Sequence, residues 1–123
     1  KYCAHGGMLA TEVEDALSAL FKSKTKPDAI FAAGDRLTMT SFSLMKQMKL
    51  KKEVGFIGFS NTGVGDLFSP TLSVIKQPAS EIGQAAIEFL IQIIESKRPV
   101  TEFQNKVLDT ELIIRESSKK AIQ

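Results

Sequence analysis

Four polar residues stand directly after the apolar runs of this sequence, at the points where predicted strands end. They are Asp35, Ser60, Asn61 and Gln77. Ligands of open α/β sheets bind beyond the carboxyl ends of the strands, and carboxylate, amide and hydroxyl groups can hold a hydroxyl-rich molecule by hydrogen bonds. Together these residues favour a ligand-binding edge. Each alone is also typical of local structure: Asp35 of a helix N-cap, Ser60 and Asn61 of a turn, and Gln77 of a helix start.

The residues that most enzymes and soft metal sites need are scarce in this chain. His5 is its only histidine and Cys3 its only cysteine, which excludes an intrachain disulfide and a Cys-rich zinc site. No nucleophile-elbow motif accompanies His5, and Gly55, Gly58 and Gly63 lack the spacing of a dinucleotide fingerprint. The sequence therefore predicts a binding protein without metal or cofactor. An enzyme on a doubly wound sheet is the alternative from a different class.

Composition and charge are those of one ordinary globular domain. The 123 residues are 43% apolar and 24% charged, which suits a single core. A net charge of +2 is too small for the electrostatic footprint of a nucleic-acid groove or an anionic membrane surface. The apolar runs are also shorter than a membrane span. The chain is therefore predicted to have no membrane partner.

Helical and strand patterns alternate along the chain. Thr11 and Glu14 match a capping box at the start of the first helix. The predicted elements that follow are strand 28–33, a helix from Asp35 to about Lys49, strand 54–59, a short helix 64–68, strand 72–76, a long helix 79–96, short strands 107–108 and 112–114, and a frayed tail 117–123. This alternation predicts an α/β fold with a mainly parallel, doubly wound sheet.

The helix after Asp35 has apolar residues on two faces. Its core stripe is Leu37, Ser41, Leu44, Met45 and Met48. Met39 and Phe42 lie nearly opposite that stripe, where the helix's own sheet cannot cover them. Because exposed apolar patches often mark interfaces, we expect one here, together with the nearby patch of Val64, Leu67 and Phe68. Cover by a neighbouring loop is the alternative.

The long helix 79–96 is apolar nearly all round. It also contains Gly83, which costs about 1 kcal/mol relative to alanine inside a helix. A helix of this kind is covered on most of its sides, and close approach of another backbone would account for the glycine. The pattern therefore predicts that another lobe or another subunit packs on this helix.

Four segments of the sequence together form a pattern that is specific for one protein family, although no segment is specific by itself. They are PDAIFAAGDRL (27–37), VGFIGFSNTGVGDLFSPTLSVIKQP (54–78), the helix with Gly83, and TELIIRES (110–117). Together they resemble the C-terminal part of LacI/GalR-type transcriptional repressors over nearly the whole chain. The resemblance implies a periplasmic-binding-protein-like effector domain of two lobes joined by three crossovers, with a small molecule between the lobes.

This chain would then be a truncated piece of that domain, mostly its C-terminal lobe. The implied parts are an α/β unit of the C-terminal lobe at 1–77, a crossover helix at 78–99 that packs on the N-terminal lobe, strands returning to the C-terminal lobe at 100–117, and a tail at 118–123.

The resemblance also assigns roles to single residues. Asp35 and Gly34 match a strand-end pair that lines the effector pocket, where the family often has Asn at the position of Gly34. Ser60 stands where many members carry an Asp that holds sugar hydroxyls, and Met8 near a position where some members stack an aromatic ring. Gln77 matches the crossover between the lobes.

The partners implied by the resemblance are a sugar-like effector and a second copy of the chain. The family dimerises partly through the helix after the Asp35 position and the short helix after Asn61, which matches the interface predicted from periodicity. DNA binding would belong to a helix-turn-helix outside this sequence, in a cytoplasmic protein. A sugar-binding receptor of a transport system, with the same fold, is the runner-up.

Overall fold

The computed structural model of the chain describes residues 3–7, 9–50, 54–96 and 103–119. These residues form two compact units. The first comprises the described residues up to Lys76 and those from Leu112 onward, and the second runs from Gln77 to Glu111. The chain thus leaves the first unit once and returns to it once.

Helices and strands alternate in the first unit, as the sequence patterns predict. Its elements are α1 (Ala10–Lys22), β1 (Ala29–Ala32), α2 (Asp35–Gln47), β2 (Gly55–Phe59), a 3₁₀ helix η1 (Gly65–Leu67), β3 (Ser73–Lys76), β4 (Glu111–Ile113), which begins at the boundary with the second unit, and a 3₁₀ helix η2 (Glu116–Ser118). The second unit contains the helix α3 (Ala79–Ser96).

The first three strands are parallel, and β4 completes a four-stranded sheet. In the register, Ala32 of β1 lies beside Gly58 of β2, and Phe59 of β2 lies beside Ile75 of β3. The predicted α/β class with a mainly parallel sheet is confirmed. The four described strands follow the order of the chain, so the reversal of order that marks double winding is not among them.

The core lies between the sheet and the two helices α1 and α2. Alternate residues of β2 are buried, as expected for a strand covered on one face. The buried apolar residues are Val13, Leu17, Phe21, Ala32, Phe42, Leu44, Met45, Val54, Phe56, Leu72 and Val74. The predicted core stripe of α2 is confirmed, because Ser41, Leu44 and Met45 are buried while Leu37 and Met48 pack partly buried against the core.

Both helix starts differ from the predicted ones. α1 begins before Thr11, because the carboxylate of Glu12 reaches back and accepts the N–H of Leu9 at 3.0 Å. The capping box predicted at Thr11 and Glu14 is therefore wrong. Gly34 takes the N-cap position of α2, and Asp35 is the first helical residue, so Asp35 is not the cap.

The segment predicted as a frayed tail is tied to the sheet. Ser117 is only 5% exposed. Its hydroxyl accepts the N–H of Ser73 and donates to the carbonyl of Phe56, both at 2.8 Å, and its own N–H donates to the carbonyl of Thr71 at 2.9 Å. The prediction of a tail is wrong for residues 117–119, because a polar serine finds buried backbone partners that lie far away in the sequence.

The carboxylate of Glu116 also ties this C-terminal segment to the first unit. It accepts the backbone N–H of Thr71 at 2.9 Å. This hydrogen bond, with a further one to the Thr71 hydroxyl, holds the pKa of Glu116 below its ordinary value, because both favour the charged form.

Among the described residues, the second unit consists of α3 and a segment that is neither helix nor strand up to residue 110. α3 has the predicted bounds and begins directly after Pro78, whose carbonyl accepts the N–H of Ile82 at 2.9 Å. The strand predicted at 107–108 does not form, and Val107 is 91% exposed. Within the described part of this unit no second strand is present with which it could pair.

Most apolar side chains of α3 face outward. Ala85 is buried, whereas Ile87, Leu90, Ile91, Ile93 and Ile94 are about half exposed or more. Apart from the chain neighbours of Gly83 and the backbone of its own helix, no atom of the described residues lies within 4 Å of the place where a Cβ at Gly83 would be. Cover of this helix by another lobe or subunit therefore stays a prediction.

Candidate ligand-binding site

The carboxyl ends of β1 and β2 meet at one edge of the sheet, because these neighbouring strands are parallel. Gly34 and Asp35 follow β1, and Ser60 and Asn61 follow β2. The structure thus brings together four of the six residues predicted to bind a ligand, on two adjacent loops. Whether they bind one stays a prediction.

Thr38 joins the two loops and was missed by the reasoning from sequence. Its hydroxyl lies 2.8 Å from the carbonyl of Gly34 and 2.8 Å from that of Phe59, so its single proton is shared between the two loops. The side chain is fully buried. The available signal was a threonine one turn into α2, where a hydroxyl can bond the carbonyl four residues back.

Gly58 gives Thr38 the space for this contact. A Cβ at Gly58 would collide with Oγ1 and Cγ2 of Thr38. The glycine therefore lets α2 approach β2 closely, as glycines inside strands often do. This close approach sets the positions of the loops that follow both strands.

Asp35 offers the main charge of the candidate site. It is exposed and belongs to the first turn of α2, where the helix dipole favours a negative charge. The neighbouring Gly34 has an extended backbone with φ 178°, which any residue adopts. Apart from its chain neighbours, no atom of the described residues lies within 4 Å of a Cβ placed there, so the structure has room for a side chain at this position.

The Ser60 side chain forms hydrogen bonds within its own turn. It is 3% exposed, its hydroxyl shares a hydrogen bond with the Thr62 hydroxyl at 2.8 Å, and it accepts the Thr62 N–H at 3.2 Å. These contacts agree with the interpretation of this loop as a turn. Asn61 is exposed beside it.

The other two predicted ligand residues are Gln77, which directly follows β3, and Met8. Gln77 is exposed and belongs to the second unit. Met8 lies outside the described residues. Among residues 3–7, 9–50, 54–96 and 103–119, no three His, Cys, Asp or Glu side chains are grouped so that they could hold a metal ion.

The predicted interface needs a correction at Phe42. This ring is 2% exposed and packs against Phe56, with centroids 5.2 Å apart, and against Phe68, edge-to-face at 5.4 Å. Phe42 therefore belongs to the core and does not lie on a free face. The physical reason is that the chain after η1 folds back and covers α2 with Phe68. This is the alternative prediction, in which a neighbouring loop covers the second apolar face of the helix.

The remaining residues of the predicted interface differ in exposure. Met39 and Phe68 pack partly buried against the core, whereas Val64 is 38% and Leu67 is 83% exposed. We call Val64 and Leu67 the η1 surface. Their side chains are the apolar groups of this patch that a partner could still cover.

Among the described helices, none combines the length and the apolar composition that a membrane-spanning helix requires.

The family of the chain follows from comparison with known proteins. Residues 2–118 match the family model of the periplasmic binding protein-like domain. The HTH-type transcriptional regulator RegA of Clostridium acetobutylicum is 33% identical over 116 residues, which are 93% of this chain and 34% of RegA. The chain thus spans about a third of the length of this relative.

Solved structures agree with this assignment. A putative transcription regulator from Staphylococcus saprophyticus is 30% identical, with a TM-score of 0.69 over 89% of this chain and 38% of that one. A LacI family transcriptional regulator from Arthrobacter sp. FB24, in complex with lactose, has the same fold at 24% identity, with a TM-score of 0.67 over 89% of this chain and 41% of that one. The chain belongs to the family of periplasmic binding protein-like domains, of the type that LacI-family transcriptional regulators carry.

Proposed function

We propose that this chain is the effector-binding and dimerisation part of a LacI-type transcriptional regulator. The observation that carries the proposal is the joint placement of Gly34–Asp35 and Ser60–Asn61 at one sheet edge, held by the shared hydrogen bonds of Thr38. The similarity to RegA, an HTH-type regulator by name, favours a regulator over a transport receptor. DNA contact is assigned to a helix-turn-helix outside this chain, in a cytoplasmic protein.

The effector is a small, hydroxyl-rich molecule of the sugar class. An exposed carboxylate at Asp35 and an exposed amide at Asn61 suit neighbouring hydroxyl groups, because a carboxylate accepts two hydrogen bonds and an amide both donates and accepts. The Arthrobacter relative, whose fold this chain shares, forms a complex with lactose. Binding acts on DNA affinity by stabilising one arrangement of the full-length regulator over another.

A ligand screen with matched variants tests the effector site. Sugars are screened against the longest form of the protein by thermal shift, since a ligand that binds the folded state raises its midpoint. Asp35→Asn should weaken binding of the hit on the order of tenfold or more, because it removes a charged acceptor. Asp28→Asn is the control, since this exposed aspartate precedes the opposite end of β1. Equal losses for both variants would contradict the proposed site.

The upstream sequence separates the regulator from the transport receptor. A helix-turn-helix followed by a hinge supports the regulator, whereas a signal peptide overturns it. The ligand screen does not distinguish the regulator from the transport receptor, because both classes bind sugars in the same fold.

The second copy is proposed to dock on the η1 surface. Leu67 is the most exposed apolar side chain there, and Leu67→Glu places a charge in the proposed interface. We expect sedimentation to show a shift toward monomer for this variant. Leu9→Glu is the control, because Leu9 is an exposed leucine of the same unit. Phe42→Glu is unsuited to this test, since it would bury a charge in the core.

A further inference from the structure

We propose that Arg115 is a positioning residue that fixes the η1 surface for the second copy, an inference that rests on the proposed dimer. η1 is a single 3₁₀ turn, and a helix this short is not stable by itself in water. Its Leu67 is 83% exposed, so this side chain gains little packing from its own unit. Another part of the chain must therefore hold the turn in place.

The guanidinium of Arg115 holds η1 through Asp66. Nε and Nη2 of Arg115 lie 2.5 Å and 3.1 Å from the two carboxylate oxygens of Asp66, in a bidentate pair. Nη1 donates to the carbonyl of Leu72 at 2.9 Å. The fork of arginine matches a carboxylate in direction as well as charge. Asp66 is therefore fixed in orientation, and Leu67, its neighbour in the chain, is fixed with it.

Gly65 permits this approach. A Cβ at Gly65 would lie 3.0 Å from Nη1 of Arg115 and 3.1 Å from the carbonyl of Leu72, closer than ordinary contacts. The N–H of Leu72 donates to the carbonyl of Gly65 at 2.9 Å. The turn is thus closed on one side by backbone and on the other by the arginine.

Arg115 is itself anchored in the core. Its backbone N–H donates to the hydroxyl of Ser73 at 2.7 Å, and that hydroxyl lies 3.1 Å from the Arg115 carbonyl. Ser73 belongs to β3 and is fully buried. A continuous line of contacts therefore runs from an inner strand through Arg115 to Asp66 and the exposed Leu67.

Because Asp66 is exposed, the effect of the ion pair on the position of η1 can be measured separately from its effect on the stability of the unit. The Asp66 side chain is 69% exposed, whereas that of Arg115 is 19% exposed. The carboxylate end of the pair is thus in water, where ion pairs contribute little to the free energy of unfolding. The pair is consequently expected to affect where η1 lies more than whether the unit folds. Asp66→Asn keeps the size of the side chain and removes the charge, so it tests this distinction.

The experiment measures dimer dissociation, melting temperature and amide exchange in the same variants of the full chain. For Asp66→Asn we expect the dimer dissociation constant to rise on the order of tenfold, with a melting temperature close to that of the unchanged chain. In monomer at low concentration, the amide of Leu67, which donates to the carbonyl of Val64, should exchange faster. Arg115→Lys should raise the dissociation constant as well, because lysine keeps the charge without the fork. Its melting temperature should fall more than that of Asp66→Asn, because it also removes the bond from Nη1 to the Leu72 carbonyl.

The outcomes distinguish this inference from the proposed dimer. If Leu67→Glu leaves the dimer intact, or no dimer forms, the proposed docking surface is wrong and the inference with it. If Leu67→Glu dissociates the dimer while Asp66→Asn changes neither the dissociation constant nor the exchange of Leu67, the surface stands and the inference fails. If Asp66→Asn both lowered the melting temperature and raised the dimer dissociation constant, the pair would serve the stability of the unit, and the inference would also fail.

Discussion

The hydroxyl of Ser117 bridges two strands that its own segment does not belong to. It accepts the N–H of Ser73 in β3 and donates to the carbonyl of Phe56 in β2. One oxygen thus satisfies a buried donor and a buried acceptor at the start of the ladder. No buried side-chain nitrogen or oxygen in the described ranges is without a hydrogen-bond partner, so this network is complete as far as it is described.

Removal of this hydroxyl should destabilise the first unit. Ser117→Ala leaves the Ser73 N–H and the Phe56 carbonyl without their partner, and each such buried group costs about 1–3 kcal/mol. We therefore expect the free energy of unfolding in urea to fall by about 2 kcal/mol or more. Ser118→Ala is the control, since Ser118 is exposed. Its hydroxyl lies 2.7 Å from that of the buried Ser73, but the Ser73 hydroxyl keeps the N–H and the carbonyl of Arg115 as partners. Similar stability of both variants would contradict this prediction.

The carboxylate of Glu116 should make the attachment of η2 sensitive to acid. Its folded pKa is lowered by the hydrogen bonds from Thr71, so the stabilisation is present above the ordinary glutamate pKa of about 4.3 and is lost as pH falls through the folded pKa. The stability difference between the chain and Glu116→Gln should be constant near neutral pH and shrink below about pH 4. Urea titrations of both proteins across this range measure it. A difference that grows on acidification would refute the assignment.

At the scale of elements, the contact between α2 and β2 depends on one missing side chain. Gly58→Ala would place a methyl group against Thr38, and overpacking of this kind costs about 1–3 kcal/mol. Because Thr38 joins the loops after β1 and β2, the same change should also weaken effector binding. Thermal unfolding and the ligand titration measure the two effects.

A matched glycine gives the opposite expectation. Gly83 lies inside α3 with open space around it in the described structure, so Gly83→Ala should raise helix stability by about 0.5–1 kcal/mol. If Gly83→Ala were destabilising in a longer form of the protein, a second backbone would approach α3 there, as the sequence pattern predicts. Equal effects of the two substitutions would contradict the role given to Gly58.

At the scale of the whole molecule, we expect the chain to provide only part of the proposed effector site. The ligand groups of the first unit come from one sheet edge, and the chain spans about a third of its relative RegA. We expect the 123-residue chain to bind a sugar effector no more tightly than ~1 mM, because few contacts offset the cost of association. Calorimetry on the chain and on a longer form measures this. Micromolar binding by the chain alone would contradict it.

Local patterns in the sequence were enough for most of the elements. The bounds of α3 follow from Pro78 and the apolar run after it, and the three parallel strands lie within one residue or two of their predicted ends. Polar residues at strand ends also predicted the edge that Asp35, Ser60 and Asn61 share, whereas Gly34 came from the family resemblance. These features depend on neighbours in the chain, which periodicity and capping preferences describe.

Contacts between distant residues settled what periodicity could not. Phe42 is a core residue because Phe68 folds over it, and Ser117 is buried because it meets Ser73 and Phe56, which lie 44 and 61 residues earlier. Thr38 joins the candidate site because β2 passes close to α2 at a glycine. A sequence pattern shows which side of a helix is apolar, but only the folded chain shows what covers it.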